Sequence, residues 1–437
     1  MKCRHALLGI ILAMTATTAA LASGFAGGHG SYDKPDNQGL IVIAHRGASG
    51  LRPEHTLAAY RLAIRQGADF IEPDLVVTKD GVLIARHEPE IGGTTDVSDR
   101  PEFADRKTTK LLDGVPTEGW WAEDFTLAEI KTLRARERIP ETRPRNTRFN
   151  DRFEIPTLAE IIQLIKREER RGRKVGIYPE TKHPTYFAED GEFLGGTPIN
   201  MSLGKLLIDT LVENDFTDPD RIFIQSFEFA NLIELQNDIM PQAGVDLPLV
   251  QLYGDIEDRF IQPASNFSRP YDMIFNAANG ADLEAIYGGL VDFVEGGITP
   301  ETGYSALISE EAINYIANNY AEGMGPWKNS FLLREPLDPP ADPNGNGEAQ
   351  LSTKLTGEIG PLLPRALQAG LMVHPYTLRA EENFLTQQAN GVDQNVIGEA
   401  IQLYSLGVNG FFIDQPSDGV FARWLFLRTN QVRNKLK

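Results

Sequence analysis

Seven side chains able to do chemistry stand at or just past the carboxyl ends of short apolar runs: His45, Arg46, Glu72, Asp74, His87, Glu180 and Lys182. The three carboxylates suit a hard cation, and an all-oxygen donor set favours calcium or magnesium over zinc. Two imidazoles, titrating near ~6.5 when unperturbed, suit a base and an acid working at neutral pH. Arg46 and Lys182 suit a phosphate, the arginine through its bidentate fork. A metal, two proton carriers and fixed cations around one anion describe metal-assisted phosphodiester cleavage. No Walker loop and no Gly-x-Gly-x-x-Gly after a strand is present, so nucleotide binding is not supported.

These groups need strands to present them. Ile41 to Ala44 is apolar and ends in His45-Arg46-Gly47, the way a barrel strand delivers residues to its carboxyl end. Ala68 to Val77 is a second apolar run in which Glu72 and Asp74 alternate, and so share one face of a strand. Buried side by side they repel, and a divalent cation resolves that. Thr78-Lys-Asp-Gly81 is a turn leading into Val82 to His87; closed as a two-residue hairpin, it sets Glu72 opposite His87. Val175 to Lys182 ends in Glu180 and Lys182 on one face.

Between these runs lie helical patterns: Leu57 to Ile64, a capping box at Thr126…Glu129, Pro156 to Ile165 and Leu203 to Val212. Alternation continues through Arg221–Phe227, Pro248–Leu252, Leu371–Arg379 and Gly410–Asp414. About eight strands with polar carboxyl ends predict a distorted (β/α)8 TIM barrel rather than an open sheet. Gln225, His374, Arg379 and Asp414, at such ends, are expected in the pocket, with Gln225 and Asp414 as substrate contacts. Residues from about 88 to 156 carry no strong period and form an insertion subdomain after the third strand; Trp120-Trp121 within it either cover the site or, the favoured reading, pack its core. A second insertion, about 335–350, is rich in Pro, Gly and Asn; Asp342 to Gly347 echoes a calcium loop, but Thr353 stands where its glutamate belongs, and a turn-rich loop is favoured.

Composition agrees with a globular protein: 437 residues, 41% hydrophobic and 24% charged. A net charge of −19 disfavours nucleic acid and anionic membranes as partners. Residues 1–22 read as a signal peptide, with Lys2 and Arg4 before an apolar Ala6–Met14 and a small-x-small Ala20-Leu-Ala22. Residues 23–38 are expected to be a disordered mature start, followed by a single catalytic domain over 39–437. The one cysteine, Cys3, falls in the leader, so the expected product is exported, periplasmic or secreted, with no disulfide and no stable membrane insertion.

His45-Arg-Gly-Ala-Ser-Gly with Pro53-Glu-His-Thr, Glu72-x-Asp74, Thr78-Lys-Asp-Gly, His87-Glu, Tyr178-Pro-Glu180-Thr-Lys182, Gln225-Ser-Phe and His374-Pro-Tyr-Thr resemble glycerophosphodiester phosphodiesterases, in particular the periplasmic bacterial type. The resemblance runs from about Gly39 to Asp414. It implies a TIM barrel that hydrolyses small-molecule glycerophosphodiesters to glycerol 3-phosphate and an alcohol, with a divalent metal, usually calcium. It assigns Glu72, Asp74 and Glu180 to the metal, His45 and His87 to acid–base work, and Arg46 and Lys182 to the phosphate. Two departures stand out: Glu88 follows His87 where the family usually has Asp, and Pro73 interrupts Glu72-x-Asp74. The rival readings are a phospholipase on the same scaffold and an exported phosphodiester-binding protein without turnover. An intact donor set argues against the binder, and an acidic chain without a basic amphipathic helix argues against the phospholipase.

Overall fold

A computed structural model describes residues 39–256 and 266–435; the expected leader and mature start lie outside the described residues. The unit from Leu40 onward is a barrel. Its eight parallel staves run, in chain order, β1 (Ile41–Ala44), β2 with β3 (Phe70–Ile71, Asp74–Val77), β7 with β8 (Gly176–Ile177, Glu180–Thr181), β9 (Ile224–Ser226), β10 (Leu249–Tyr253), β11 (Gly323–Pro326), β14 (Met372–Val373) and β15 (Gly410–Ile413). β15 pairs back onto β1, with Ala44 beside Ile413. Between the last two staves Leu378 N–H donates to the Phe412 carbonyl and Phe412 N–H to that of Pro375, at 2.8 and 3.0 Å, closing the ring.

Pro73 and Pro179 each split a stave in two, because proline has no N–H for the ladder. Their carbonyls still pair: Glu180 N–H donates to Pro73 O at 3.0 Å and Gln225 N–H to Pro179 O at 2.9 Å. The ring therefore stays whole across both breaks.

The period of two sets the interior. Ile43, Phe70, Tyr178, Val250 and Phe412 form an apolar floor inside the ring. Two residues on from four of these stand His45, Glu72, Glu180 and Asp414. The intervening positions, among them Val42, Ala44, Ile71, Ile177, Phe411 and Ile413, face the outer helices and form the larger core. Helix Leu57–Gln66 begins at a Thr56 side-chain cap and stops at Gly67, whose φ of 91° is the left-handed conformation glycine adopts freely.

The hairpin after the second stave departs from the expected register by one residue. β4 (Leu83–Ala85) pairs antiparallel with β3, Val77 opposite Leu83. Thr78 N–H then donates to Val82 O at 3.0 Å across a three-residue loop in which Gly81 takes φ 81°. By that register His87 falls at the level of Pro73, one residue short of Glu72, rather than opposite it. β4 is an appendage to the ring, not a stave.

The chain from 88 to 156 carries a small hairpin, β5 (Thr108–Leu112) with β6 (Val115–Gly119), and short helices; the capping box at Thr126 and Glu129 is formed. Trp121 is fully buried against Tyr186, and Trp120 donates its indole N–H to Phe103 O at 2.8 Å. Neither lines the main cavity. The later insertion is a long hairpin, β12 (Leu332–Ala341) with β13 (Leu351–Ile359), so Pro336 to Ala341 is strand and only the tip is loop. At that tip Asp342 accepts from the amides of Gly345, Asn346 and Gly347, an ordinary turn.

Removing the indole of Trp121 should cost about 3–5 kcal/mol. Urea unfolding of Trp121→Ala is expected to show that loss while KM for substrate stays at the parental value, since the residue has no face in the cavity.

Candidate active site

Glu72, Asp74 and Glu180 meet at the carboxyl ends of the second and third staves, where Asp74 is in register with Glu180 and Glu180 with Gln225. One oxygen from each lies within 4.8 Å of the others, and all three residues are buried. Burial and the neighbouring carboxylates Asp74 and Glu180 hold Glu72 well above the ordinary carboxyl range. Burial raises Glu180 to about 7, against the pull of Lys182 at 2.9 Å. Asp74 goes the other way: burial opposes its charge, but His55 at 3.0 Å and Arg46 at 3.3 Å hold it low. Asp74 Oδ1 is buried without a hydrogen-bond partner. A buried all-oxygen cluster with an orphaned acceptor and too little positive charge fits a hard divalent cation.

Arg46 takes φ 57°, which turns its amide onto Glu72 Oε2 at 2.9 Å. Gly47 follows at φ 84° and passes so close to Ala59 that a Cβ would sit 2.8 Å from its carbonyl carbon. The turn after β1 therefore requires glycine there. Arg46 Nη1 donates to Glu54 at 3.1 Å, so this cation is shared between the carboxylates and the cavity. Lys182 also reaches the cavity, its ammonium 5.5 Å over the Phe227 ring.

His45 presents Nε2 inward, 3.9 Å from Glu72 Oε2 and 3.5 Å from the Thr377 hydroxyl. Its Nδ1 lies 2.5 Å from Asp414 Oδ1. Asp414 is itself held by Arg143 and by Arg379 Nε at 3.0 Å. Asp414, expected to touch substrate, is therefore saturated by cations behind His45 and does not line the main cavity. It orients the ring with Nε2 toward the cavity. Burial, then Arg46, lower His45 to about 4 despite Asp414. His87 stands across the mouth, with Nδ1 2.6 Å from Glu88 Oε1 and 3.0 Å from an Arg138 nitrogen. Burial, Arg46 and Lys182 hold it well below the usual histidine range. Both rings are neutral at pH 7. They border a cavity of ≈ 890 Å³ shared with Glu72, Glu180, Lys182 and Gln225, the last donating Nε2 to Glu72 at 2.9 Å.

The sequence model of the glycerophosphoryl diester phosphodiesterase family matches residues 45–296. The chain belongs to this family. It is accordingly a phosphoric diester hydrolase by kinship, and the parallel ring is the family's TIM barrel. A glycerophosphodiester phosphodiesterase of Arabidopsis thaliana is 31% identical over 378 residues, covering 85% of this chain and 82% of its own. One of Haemophilus influenzae is 29% identical over 394 residues, covering 87% and 88%. A solved phosphodiesterase of Oleispira antarctica, in complex with the product sn-glycerol-3-phosphate, aligns at 18% identity with a TM-score of 0.46, covering 87% of this chain and 96% of that one.

Several contributors were not singled out from sequence. Glu54 and His55, quoted only as part of a motif, hold Arg46 and Asp74. Arg143 comes from the insertion, which has no periodic signal. His183, at φ 50°, lies 2.9 Å from Glu88 and 2.7 Å from Asp113 at the β5–β6 tip. Burial disfavours its charge, but Asp113 and Glu88 raise it to about 10. The only hint was its adjacency to Lys182.

His374 is placed otherwise than expected. It is fully buried in the apolar floor, its ring edge-on to Tyr178 and Phe223, and Tyr178 OH meets Nδ1 at 2.9 Å. Burial lowers its pKa to about 3. A histidine depressed in the folded state favours folding fully above its unfolded value of ~6.5, and that contribution is lost as pH falls toward 3. The loss should be on the order of 4 kcal/mol across this window. Denaturant unfolding at stepped pH is expected to show a shallower acid slope for His374→Gln than for the parent, whatever their difference at pH 7.

Proposed function

We propose that this chain hydrolyses soluble glycerophosphodiesters to sn-glycerol 3-phosphate and an alcohol, with His45 and His87 as the acid–base pair. The observation that carries the reading is the pairing of two imidazoles, each backed at Nδ1 by a carboxylate, beside a buried three-carboxylate cluster. Glu72, Asp74 and Glu180 would hold a divalent metal, calcium first and magnesium as the alternative. When bound, it supplies positive charge to the phosphoryl oxygens and relieves the repulsion among its ligands.

The rest is done by the chain's own groups. Arg46 and Lys182 bring fixed positive charge to the phosphate. One of the two histidines, neutral and therefore competent as a base, takes the proton of the glycerol 2-hydroxyl as that oxygen attacks phosphorus. The arriving phosphodiester anion raises the proton affinity of the other, which protonates the leaving alcohol. Water then opens the cyclic phosphate with the roles reversed. Asp414, fixed by Arg143 and Arg379, keeps His45 in the tautomer with Nε2 facing substrate. The amino-terminal leader supports an exported protein.

Glycerol 3-phosphate release from glycerophosphocholine, followed with calcium, magnesium or chelator, tests the reading. Release should depend on calcium, vanish with chelator, and fall roughly 10²–10⁴-fold in His45→Ala or His87→Ala. A folded protein that releases none under any metal overturns it. A substrate analogue lacking the 2-hydroxyl should resist cleavage; normal turnover of that analogue would replace the cyclic route with direct attack by water.

A further inference from the structure

Across the ring from the carboxylates, the end of the sixth stave and the β12–β13 hairpin bring two more cations to the same cavity. Lys328 follows β11 and Arg334 lies on β12; both line the cavity wall. Lys328 is 4% exposed and Arg334 8%. They share a single carboxylate, Glu399, which is fully buried on helix Val396–Ser405. Lys328 holds it at 2.7 Å; Arg334 stands off at 3.7 Å, beyond hydrogen-bond range. Among the described residues, Arg334 Nε and Nη2 have no hydrogen-bond partner at all. This wall carries two buried cations against one anion, and a guanidinium two of whose nitrogens are desolvated but unused. Such a group is costly unless an acceptor visits it.

Burial lowers Lys328 to about 8, with Glu399 pulling upward and Arg334 downward. The wall is held in place: Leu355 on β13 donates its amide to Gln387 O at 2.8 Å, and Arg334 pairs with Leu355 across the hairpin. The catalytic mouth at the second and third staves lies on the opposite side of the ring. Lys182 and this wall line one cavity, so a substrate spanning it from Lys182 would bring its far end here.

We propose that Arg334, with Lys328 beside it, forms a second anion subsite that selects glycerophosphodiesters whose leaving alcohol carries a further phosphate or carboxylate. This rests on the hydrolase reading above for there being a leaving alcohol at all. The guanidinium fork suits bidentate acceptance by such a group, which an uncharged alcohol lacks.

The test compares glycerophosphoglycerol with the same compound phosphorylated on its terminal hydroxyl. The parent should favour the phosphorylated form by about tenfold or more in kcat/KM. Arg334→Gln should bring the ratio close to one, through KM, while glycerophosphoglycerol turnover stays within about twofold. Arg334→Lys, retaining the charge, should recover part of the preference, which a variant that merely loosens the hairpin would not. Equal ratios in parent and Arg334→Gln, or no preference in the parent, overturn the subsite. If neither compound is cleaved, the hydrolase reading has failed separately. Calorimetric binding of the phosphorylated compound then decides the subsite: a Kd weakened about tenfold by Arg334→Gln supports it, and an unchanged Kd sinks it.

Discussion

Burying Glu72, Asp74 and Glu180 against one another is the constraint to which the surrounding structure answers. Three carboxylates out of water repel and are poorly solvated, so each must be met by charge or donors from elsewhere. Arg46 reaches Asp74 through its side chain and Glu72 through its backbone. His55 braces Asp74, Gln225 donates to Glu72, and Lys182 forms an ion pair with Glu180. The left-handed backbone at Arg46, the glycine after it and the buried Arg86, which donates to the carbonyl of His55, all serve that neutralisation. What they leave uncompensated is what a divalent cation would supply.

The same economy explains why the two histidines differ in their supports. His45 sits deep in the ring, so its partner Asp414 can be fixed by buried arginines. His87 stands on the appended hairpin at the rim, where Glu88 has the reach to meet both its ring and that of His183. Glu88 thus joins the rim histidine to a second one, His183, anchored by the insertion through Asp113.

Much of this was legible in the sequence, for a physical reason. In a parallel barrel the residues that do chemistry are local to strand ends, and a period of two states which of them face inward. His45, Glu72, Asp74, Glu180 and Lys182 could be found that way. The hairpin register could not, because Gly81 in the left-handed region adds a residue to the loop that the dipeptide pattern did not reveal. His374 looked like a strand-end group, yet β14 is only two residues long and the histidine belongs to the floor layer. Arg143, Arg138 and His183 reach the site from insertions and turns without periodicity, where no local rule points a side chain anywhere. Asp414 was found but given the wrong neighbour: its strand-end position indicated the site, while the two arginines and the imidazole around it are visible only in three dimensions.

The contact between His45 and Asp414 joins residues 369 apart in sequence. The first stave and the last thus meet in one buried hydrogen-bonded pair. The three carboxylates come from staves within the first half of the chain, whereas the carboxylate that orients His45 comes from the last stave. Under the proposed mechanism, a piece of the chain without its last stave would carry the three carboxylates but not the group that orients His45.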